Sequence, residues 1–119
     1  LVQWGRLGEF IRRRRMLARR YDAAAGHAAV RPTGRGVYYR YLVWARQGAD
    51  AALREFARRG IEAKRPVFRP LHRYLGLDRR RFPASEKAHR QIVSVPLYPA
   101  LREPEVRRIL AALEEVIRP

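Results

Sequence analysis

Apolar residues recur with helical spacing at both ends of the chain, and this pattern constrains the fold most strongly. We expect a first helix from about Val2 to Ala25, ending near Gly26, a residue that tolerates the left-handed backbone at a helix end. Its apolar face consists of Leu7, Phe10, Ile11, Leu17, Ala18 and Tyr21. A second helix is expected from Pro104, since proline suits the first helical turn. Its apolar face consists of Val106, Ile109, Leu110, Leu113, Val116 and Ile117.

The residues between these helices predict shorter elements. Val37 to Trp44 is dense in aromatic and β-branched residues, which is typical of a strand. A short helix containing Phe56 follows, and Gly60 ends it in a way that lets Ile61 fold back on Phe56 as a Schellman cap. The remaining predicted elements are a strand at 61–67, an irregular stretch at 68–82, a helix at 83–91 and a strand at 92–95.

Together these elements predict an α+β fold, with a small sheet of about three strands packed against a long N-terminal helix and a C-terminal amphipathic helix. The 119 residues fit one domain, which we place at residues 1–119, and 47% hydrophobic residues are enough to form a core. The helical pattern is already in phase at the first residues, and residue 1 is Leu rather than Met. We therefore expect this segment to be part of a longer polypeptide.

The formal net charge of +16 leaves two interpretations open. An Arg-rich module that binds nucleic acid or an anionic surface would use clusters such as Arg12 to Arg15, whose guanidinium groups can neutralise phosphates. The other interpretation is an arginine-biased composition, because only Lys64 and Lys87 of the 27 basic residues are lysines. The absence of cysteine excludes a disulfide scaffold and favours a reducing compartment. No stretch predicts a membrane-spanning helix.

Few residues in the sequence suggest chemistry by their spacing alone. The three histidines do not have metal-ligand spacing, and no metal site is predicted. Ser85 and His89 are four residues apart on a predicted helix, but no third group that would orient them is evident, so we interpret them as a helix-start serine and a surface histidine. His72 stands out because it lies in a loop between rigid elements, where binding groups tend to occur.

Short motifs along the whole chain carry a family resemblance. They are the helix from Gln3 to Tyr21, Tyr38-Tyr39-Arg40-Tyr41, the helix that ends in Gly60-Ile61, Pro70-Leu71-His72, Phe82-Pro83-Ala84-Ser85-Glu86, and Ser94-Val95-Pro96-Leu97-Tyr98-Pro99. In this order they resemble the C-terminal small domain of the DegT/DnrJ/EryC1/StrS sugar aminotransferases. Those enzymes use pyridoxal phosphate (PLP) to aminate keto groups of nucleotide-activated sugars.

The resemblance implies a set of substrate-binding residues. It implies that His72 approaches the sugar or the cofactor, and that Tyr38 and Tyr39 begin a strand near the same cleft. From chemistry we add Arg69 and Arg73 beside the loop, because a guanidinium offers a planar fork to the diphosphate of a sugar nucleotide. No catalytic residue is expected in this segment.

The resemblance also implies partners outside these residues. The family forms its Schiff base with a lysine of a preceding large domain, and neither Lys64 nor Lys87 matches that lysine. We therefore expect a large PLP-binding domain, a second subunit in a cytoplasmic homodimer, and glutamate as amino donor. These 119 residues alone should not transaminate. The resemblance implies that the anionic ligand of this positively charged chain is a sugar nucleotide rather than a nucleic acid.

Overall fold

Helices surround a small central sheet in the computed structural model, which describes residues 2–117 without the side chains of Val2 and Gln3. The helices are α1 (Val2–Ala25), α2 (Ala49–Arg58), α3 (Leu71–Tyr74), α4 (Pro83–Gln91) and α5 (Glu103–Ala112), and the strands are β1 (Tyr41–Trp44) and β2 (Ile92–Val95). Short 3-10 helices occupy Gly26–Ala28 and Arg79–Arg81, and a π-helical segment, Leu113–Ile117, continues α5. The predicted α+β class, the long N-terminal helix and the C-terminal amphipathic helix are confirmed.

The sheet in the described part of the chain has two strands, so the prediction of about three was wrong. β1 and β2 are antiparallel, with Tyr41 opposite Val95 and Trp44 opposite Ile92. The segment predicted as a third strand pairs with β2 only at Lys64, whose backbone exchanges two hydrogen bonds with Ser94 at 2.9 and 2.7 Å. Pro66 lacks an N–H and limits any extension of this pairing.

β1 is also shorter than predicted, because it begins at Tyr41 rather than Val37. Tyr38 has a positive φ of 52°, which turns the chain out of the extended conformation just before the strand. The residues just before the strand are bound by a side chain of α1. Arg14 Nη1 donates to the carbonyls of Tyr38 and Tyr39 at 3.1 and 3.3 Å. A side chain 24 residues away thus binds the turn that precedes the strand.

Helix α2 ends as its sequence predicts. Gly60 has a φ of 70°, and the Gly60 N–H donates to the carbonyl of Ala57 at 3.0 Å. The Ile61 N–H donates to the carbonyl of Phe56, also at 3.0 Å, which completes a Schellman cap. This turn sends the chain back along the sheet toward the pairing at Lys64.

The core lies between the sheet and helices α1, α2 and α5. Its largest fully buried side chains are Tyr21, Tyr41, Phe56, Leu17, Leu113, Val43, Val93, Val95 and Val106. The two tyrosine hydroxyls have partners, since Tyr21 donates to the carbonyl of Pro96 and Tyr41 donates to Asp22. Burial raises the pKa of both phenols, so they remain hydrogen-bond donors at neutral pH.

The apolar face of α1 is only partly covered. Leu17, Ala18 and Tyr21 are fully buried, whereas Leu7 is 43% exposed and Trp4 is 76% exposed. None of the described helices is both long enough and apolar enough to cross a membrane.

Candidate functional site

His72 lies in α3, in the middle of the segment that joins the pairing at Lys64 to α4. Pro70 has extended backbone dihedrals and precedes the single helical turn of α3, which places His72 on the inner side. Gly76, with a φ of 67°, then reverses the chain, and the Leu77 N–H donates to the carbonyl of His72 at 2.9 Å. The imidazole is 5% exposed, so the loop carries a buried histidine rather than a surface one.

The buried histidine is held by two residues at the beginning of α4. Its Nε2 lies 2.7 Å from Oε1 of Glu86, a residue that is itself 6% exposed. Phe82 stacks on the imidazole, with ring centroids 4.5 Å apart and an interplanar angle of 13°. The hydrogen bond and the ring stack together fix the imidazole in one orientation.

The carboxylate of Glu86 is also bound by Arg73. Nε of Arg73 donates to Oε1 at 2.9 Å, and its Nη2 donates to Oε2. The hydrogen bonds from Arg73 and His72 lower the pKa of Glu86 from its ordinary value near 4.5 to about 2, so Glu86 is ionised at neutral pH. The Arg73 and Glu86 charges compensate each other, so the buried carboxylate has an oppositely charged partner.

The His72 cluster borders a cavity of about 510 Å³. Its walls are mostly apolar and include Leu42, Val67, Leu71, Leu75, Phe82 and Ile92. His72, Ser85 and His89 are its polar side chains. An apolar volume with a few polar groups is the usual composition of a small-molecule site.

The two predicted phosphate-binding arginines have different surroundings. Arg73 uses Nε and Nη2 to hold Glu86, so these donors are already engaged within the protein. Arg69 is exposed, and its guanidinium carbon lies 5.3 Å from the ring centre of Tyr74. Of these two arginines, Arg69 is the one whose side chain is exposed to solvent.

The structure places the two predicted tyrosines away from His72. Tyr38 is half-buried and stacks on Tyr41 at 6.5 Å, whereas Tyr39 is 74% exposed. Tyr39 borders a second groove of about 520 Å³, whose charged lining includes Arg40 and Lys64. The described residues therefore do not bring the tyrosines and His72 together around one cavity.

Neither lysine has surroundings suited to a Schiff base with PLP. Lys64 is exposed, and its Nζ lies 3.0 Å from Oε1 of Glu62. Lys87 is also exposed, with its Nζ 5.8 Å from the ring centre of Trp44. A Schiff-base lysine needs a neutral amine, which burial in an apolar pocket favours and exposure beside a carboxylate does not. The residues described do not fit the cofactor's covalent site.

The arginine run on α1 is mostly engaged inside the protein. Arg13 donates to the carbonyl of Leu101 at 3.0 Å, and Arg15 donates to the carbonyl of Gly36 at 3.1 Å. Arg14 bonds three carbonyls, the third being that of Leu97 at 2.8 Å. Only Arg12 of the four is exposed, so the run does not form a continuous surface for phosphates.

The structure shows neither a metal site nor a Ser85–His89 pair in the residues that it describes. Among residues 2–117 no group of three or more histidine and carboxylate side chains could hold a metal ion. Ser85 and His89 both border the apolar cavity, but no hydrogen bond joins them in the part of the chain described.

Glu86 is the residue of this site that sequence reasoning missed. The motif that contains it was recognised, but its carboxylate was not distinguished from the other glutamates. One signal was present: Phe82 immediately precedes α4 and Glu86 is four residues further along, so an aromatic ring and a carboxylate are neighbours at the start of the helix, where a buried charge needs a partner.

The chain thus combines an α+β fold and a long leading helix with an oriented histidine beside an apolar cavity. A model of the DegT/DnrJ/EryC1/StrS aminotransferase family matches residues 1–114. The chain therefore belongs to this aminotransferase family. A search of curated proteins finds no significant match.

Solved structures of aminotransferases share the fold. The chain is similar to the aminotransferase TlmJ from Streptoalloteichus hindustanus, with 29% identity and a TM-score of 0.78 over 95% of this chain and 33% of that one. It is similar to DesV from S. venezuelae, with 23% identity and a TM-score of 0.86 over 99% and 34%. It is also similar to the sugar aminotransferase CalS13 from Micromonospora echinospora, with 20% identity and a TM-score of 0.72 over 93% and 32%. The chain spans about a third of the length of these structures.

Proposed function

We propose that the chain is the small-domain portion of a PLP-dependent aminotransferase that acts on nucleotide-activated keto-sugars. The observation that carries the proposal is the family match over residues 1–114, which spans nearly all of the structure described. The similarity to TlmJ and to the sugar aminotransferase CalS13 supports amino transfer and a sugar substrate. In this proposal the complete enzyme also contains a large PLP-binding domain and forms a homodimer in the cytoplasm. Glutamate is its amino donor.

The proposal assigns binding and shaping of the active-site cleft to this chain, and the covalent chemistry to the large domain. PLP, when bound there, serves as the electron sink for amino transfer. His72, at the wall of its apolar cavity, is positioned to accept or donate a hydrogen bond to a sugar. Arg69 is exposed and suits the diphosphate of a sugar nucleotide. Tyr38 and Tyr39 remain proposed contacts of the same substrate, and Tyr39 borders the second groove.

One test asks whether the chain alone engages the cofactor. The chain is mixed with an equimolar amount of PLP, reduced with borohydride and digested for mass spectrometry. We expect no stoichiometric pyridoxyl adduct on Lys64 or Lys87, because both side chains are exposed and neither lies in an apolar pocket that would hold the cofactor. A full adduct on Lys64 would contradict the assignment of the covalent chemistry to a separate domain.

A second test addresses the activity itself. The DNA upstream of the Leu1 codon is sequenced, and the complete polypeptide is expressed and assayed with glutamate and a panel of nucleotide-linked keto-sugars. The proposal requires an in-frame, lysine-bearing domain and formation of an amino-sugar nucleotide. Replacing Arg69 by Gln should raise the KM for the sugar nucleotide, whereas Arg12→Gln, at an exposed position on α1, serves as the matched control. Amination of free keto acids only would overturn the sugar-nucleotide part.

A further inference from the structure

The hydrogen-bond geometry around Glu86 determines more than the position of His72. Oε1 of Glu86 lies 2.7 Å from Nε2 of His72, and the same oxygen accepts from Nε of Arg73 at 2.9 Å. A carboxylate with a pKa near 2 is an acceptor only, so Nε2 of the imidazole has to carry the hydrogen. In a neutral imidazole this leaves Nδ1 as an unprotonated acceptor.

We propose that Glu86 is a positioning residue that holds His72 as its Nε2–H tautomer, so that Nδ1 accepts a hydrogen bond from a hydroxyl group of a ligand in the apolar cavity. Three observations support the assignment to a built site. The imidazole and the carboxylate are both more than nine-tenths buried, Phe82 stacks on the ring, and Arg73 fixes the far oxygen of the carboxylate.

The cavity defines the class of ligand. Most of its wall is apolar, so it accommodates an apolar surface of the ligand, and the acceptor at His72 suits a hydrogen-bond donor, such as a hydroxyl group, on that surface. A sugar ring presents both features, and this identification of the hydroxyl rests on the proposed function. The assignment of the tautomer does not rest on it, because it follows from contacts within this chain.

The tautomer is tested by nitrogen NMR on the 119-residue chain labelled with ¹⁵N-histidine. Spectra are recorded at about pH 8, where an ordinary imidazole is neutral. Long-range proton–nitrogen correlations should show His72 protonated at Nε2 only. A proton on Nδ1, alone or together with one on Nε2, would overturn the proposal, and this result needs no variant.

The role of Glu86 is tested by Glu86→Gln, with Glu62→Gln as the matched control at an exposed glutamate. The amide of Gln has one donor end and one acceptor end, so in either orientation its NH₂ group faces a donor of Arg73, and the end that faces His72 is no longer fixed as an acceptor. We expect His72 of Glu86→Gln to show both tautomers and Glu62→Gln to match the parent chain. A single unchanged tautomer in Glu86→Gln would show that the carboxylate does not set it.

The ligand class is tested with phenol and anisole, which have similar rings and differ in the hydroxyl donor. Phenol should shift the Nδ1 resonance of His72 saturably and bind about two- to tenfold more tightly than anisole, the range that one net hydrogen bond supplies. Equal affinity and no change at Nδ1 would overturn the hydroxyl assignment. If amination of sugar nucleotides fails while these NMR results hold, the proposed function is wrong and the role of Glu86 stands.

Discussion

The carboxylate of Glu86 links two neighbouring side chains and is ionised when it does so. Arg73 and His72 both bond it, which lowers its pKa from near 4.5 to about 2. A carboxyl group whose pKa is lower in the folded than in the unfolded state stabilises the fold above the unfolded value. That contribution is lost as the pH falls through the interval between the two values.

This predicts a specific acid response. The unfolding midpoint should fall as the pH is lowered from about 4.5 to about 2, and Glu86→Gln should show a shallower fall, because it has no proton to take up. Glu103, whose pKa Arg20 also lowers to about 2, accounts for part of the remaining slope. Thermal unfolding followed by circular dichroism across this pH range measures both. Identical slopes for Glu86→Gln and the parent would contradict the prediction.

Two glycines offer a matched test of backbone conformation. Gly60 has a φ of 70° in the cap of α2, and an added Cβ would meet only ordinary contact at 3.6 Å, so Gly60→Ala is opposed by the backbone and not by space. We expect a loss of about 1–2 kcal/mol in unfolding free energy. Gly8→Ala lies within helix α1, where alanine is favoured by about 0.5–1 kcal/mol, and should stabilise the chain. Denaturant titration of both variants compares the signs, and stabilisation by Gly60→Ala would show that the cap does not require the left-handed conformation.

At the scale of elements, helix α1 has one buried and one partly exposed leucine that can be compared by mutation. Leu17 is fully buried, whereas Leu7 is 43% exposed on the same apolar face. Leu17→Ala should therefore lower the free energy of unfolding by about 2–5 kcal/mol, and Leu7→Ala should change it by less than about 1 kcal/mol. Equal losses in denaturant titrations would show that the first turns of α1 are packed as closely as the later ones.

Arg14 connects α1 to two separate loops and should therefore also contribute to the free energy of unfolding. Its Nη1 donates to the carbonyls of Tyr38, Tyr39 and Leu97, the last at 2.8 Å. We expect Arg14→Gln to cost about 1–3 kcal/mol of unfolding free energy, the range for lost hydrogen bonds to a charged group. Arg12→Gln, at an exposed neighbour, should stay within about 0.5 kcal/mol. Chemical denaturation compares the two variants. Equal free energies of unfolding would show that the hydrogen bonds of Arg14 do not stabilise the fold.

The elements that the sequence predicts correctly are those whose signals are local. The bounds of α1 and α4, the position of β2 and the Schellman cap at Gly60 follow from periodicity, proline and glycine within a few residues. The start of β1 does not, because the chain turns at Tyr38, where the carbonyl accepts a hydrogen bond from Arg14 on a helix distant in sequence. Glu86 was missed for the same reason, since its partners His72 and Arg73 lie on a different element.

At the scale of the whole molecule, the net charge of +16 predicts weak and unselective attraction to nucleic acid. Three of the four arginines of the α1 run are engaged with backbone carbonyls, so the described residues lack an ordered row for phosphates. We expect binding to duplex DNA that falls steeply with salt and does not depend on sequence. Fluorescence anisotropy with two unrelated duplexes at several salt concentrations measures this. A preference of 100-fold or more, about 2.7 kcal/mol, for one duplex would favour the nucleic-acid interpretation.

The first and last helices of the fold pack against each other. α1 contacts α5 and its π-helical continuation, and Arg20 on α1 bonds Glu103 on α5 through both guanidinium Nη atoms at 2.9 and 2.7 Å. During translation, α1 leaves the ribosome about 80 residues before α5. The part of α1 that packs on α5 therefore stays uncovered until α5 has been made. The contact between these two helices can form only after most of residues 2–117 have been synthesised.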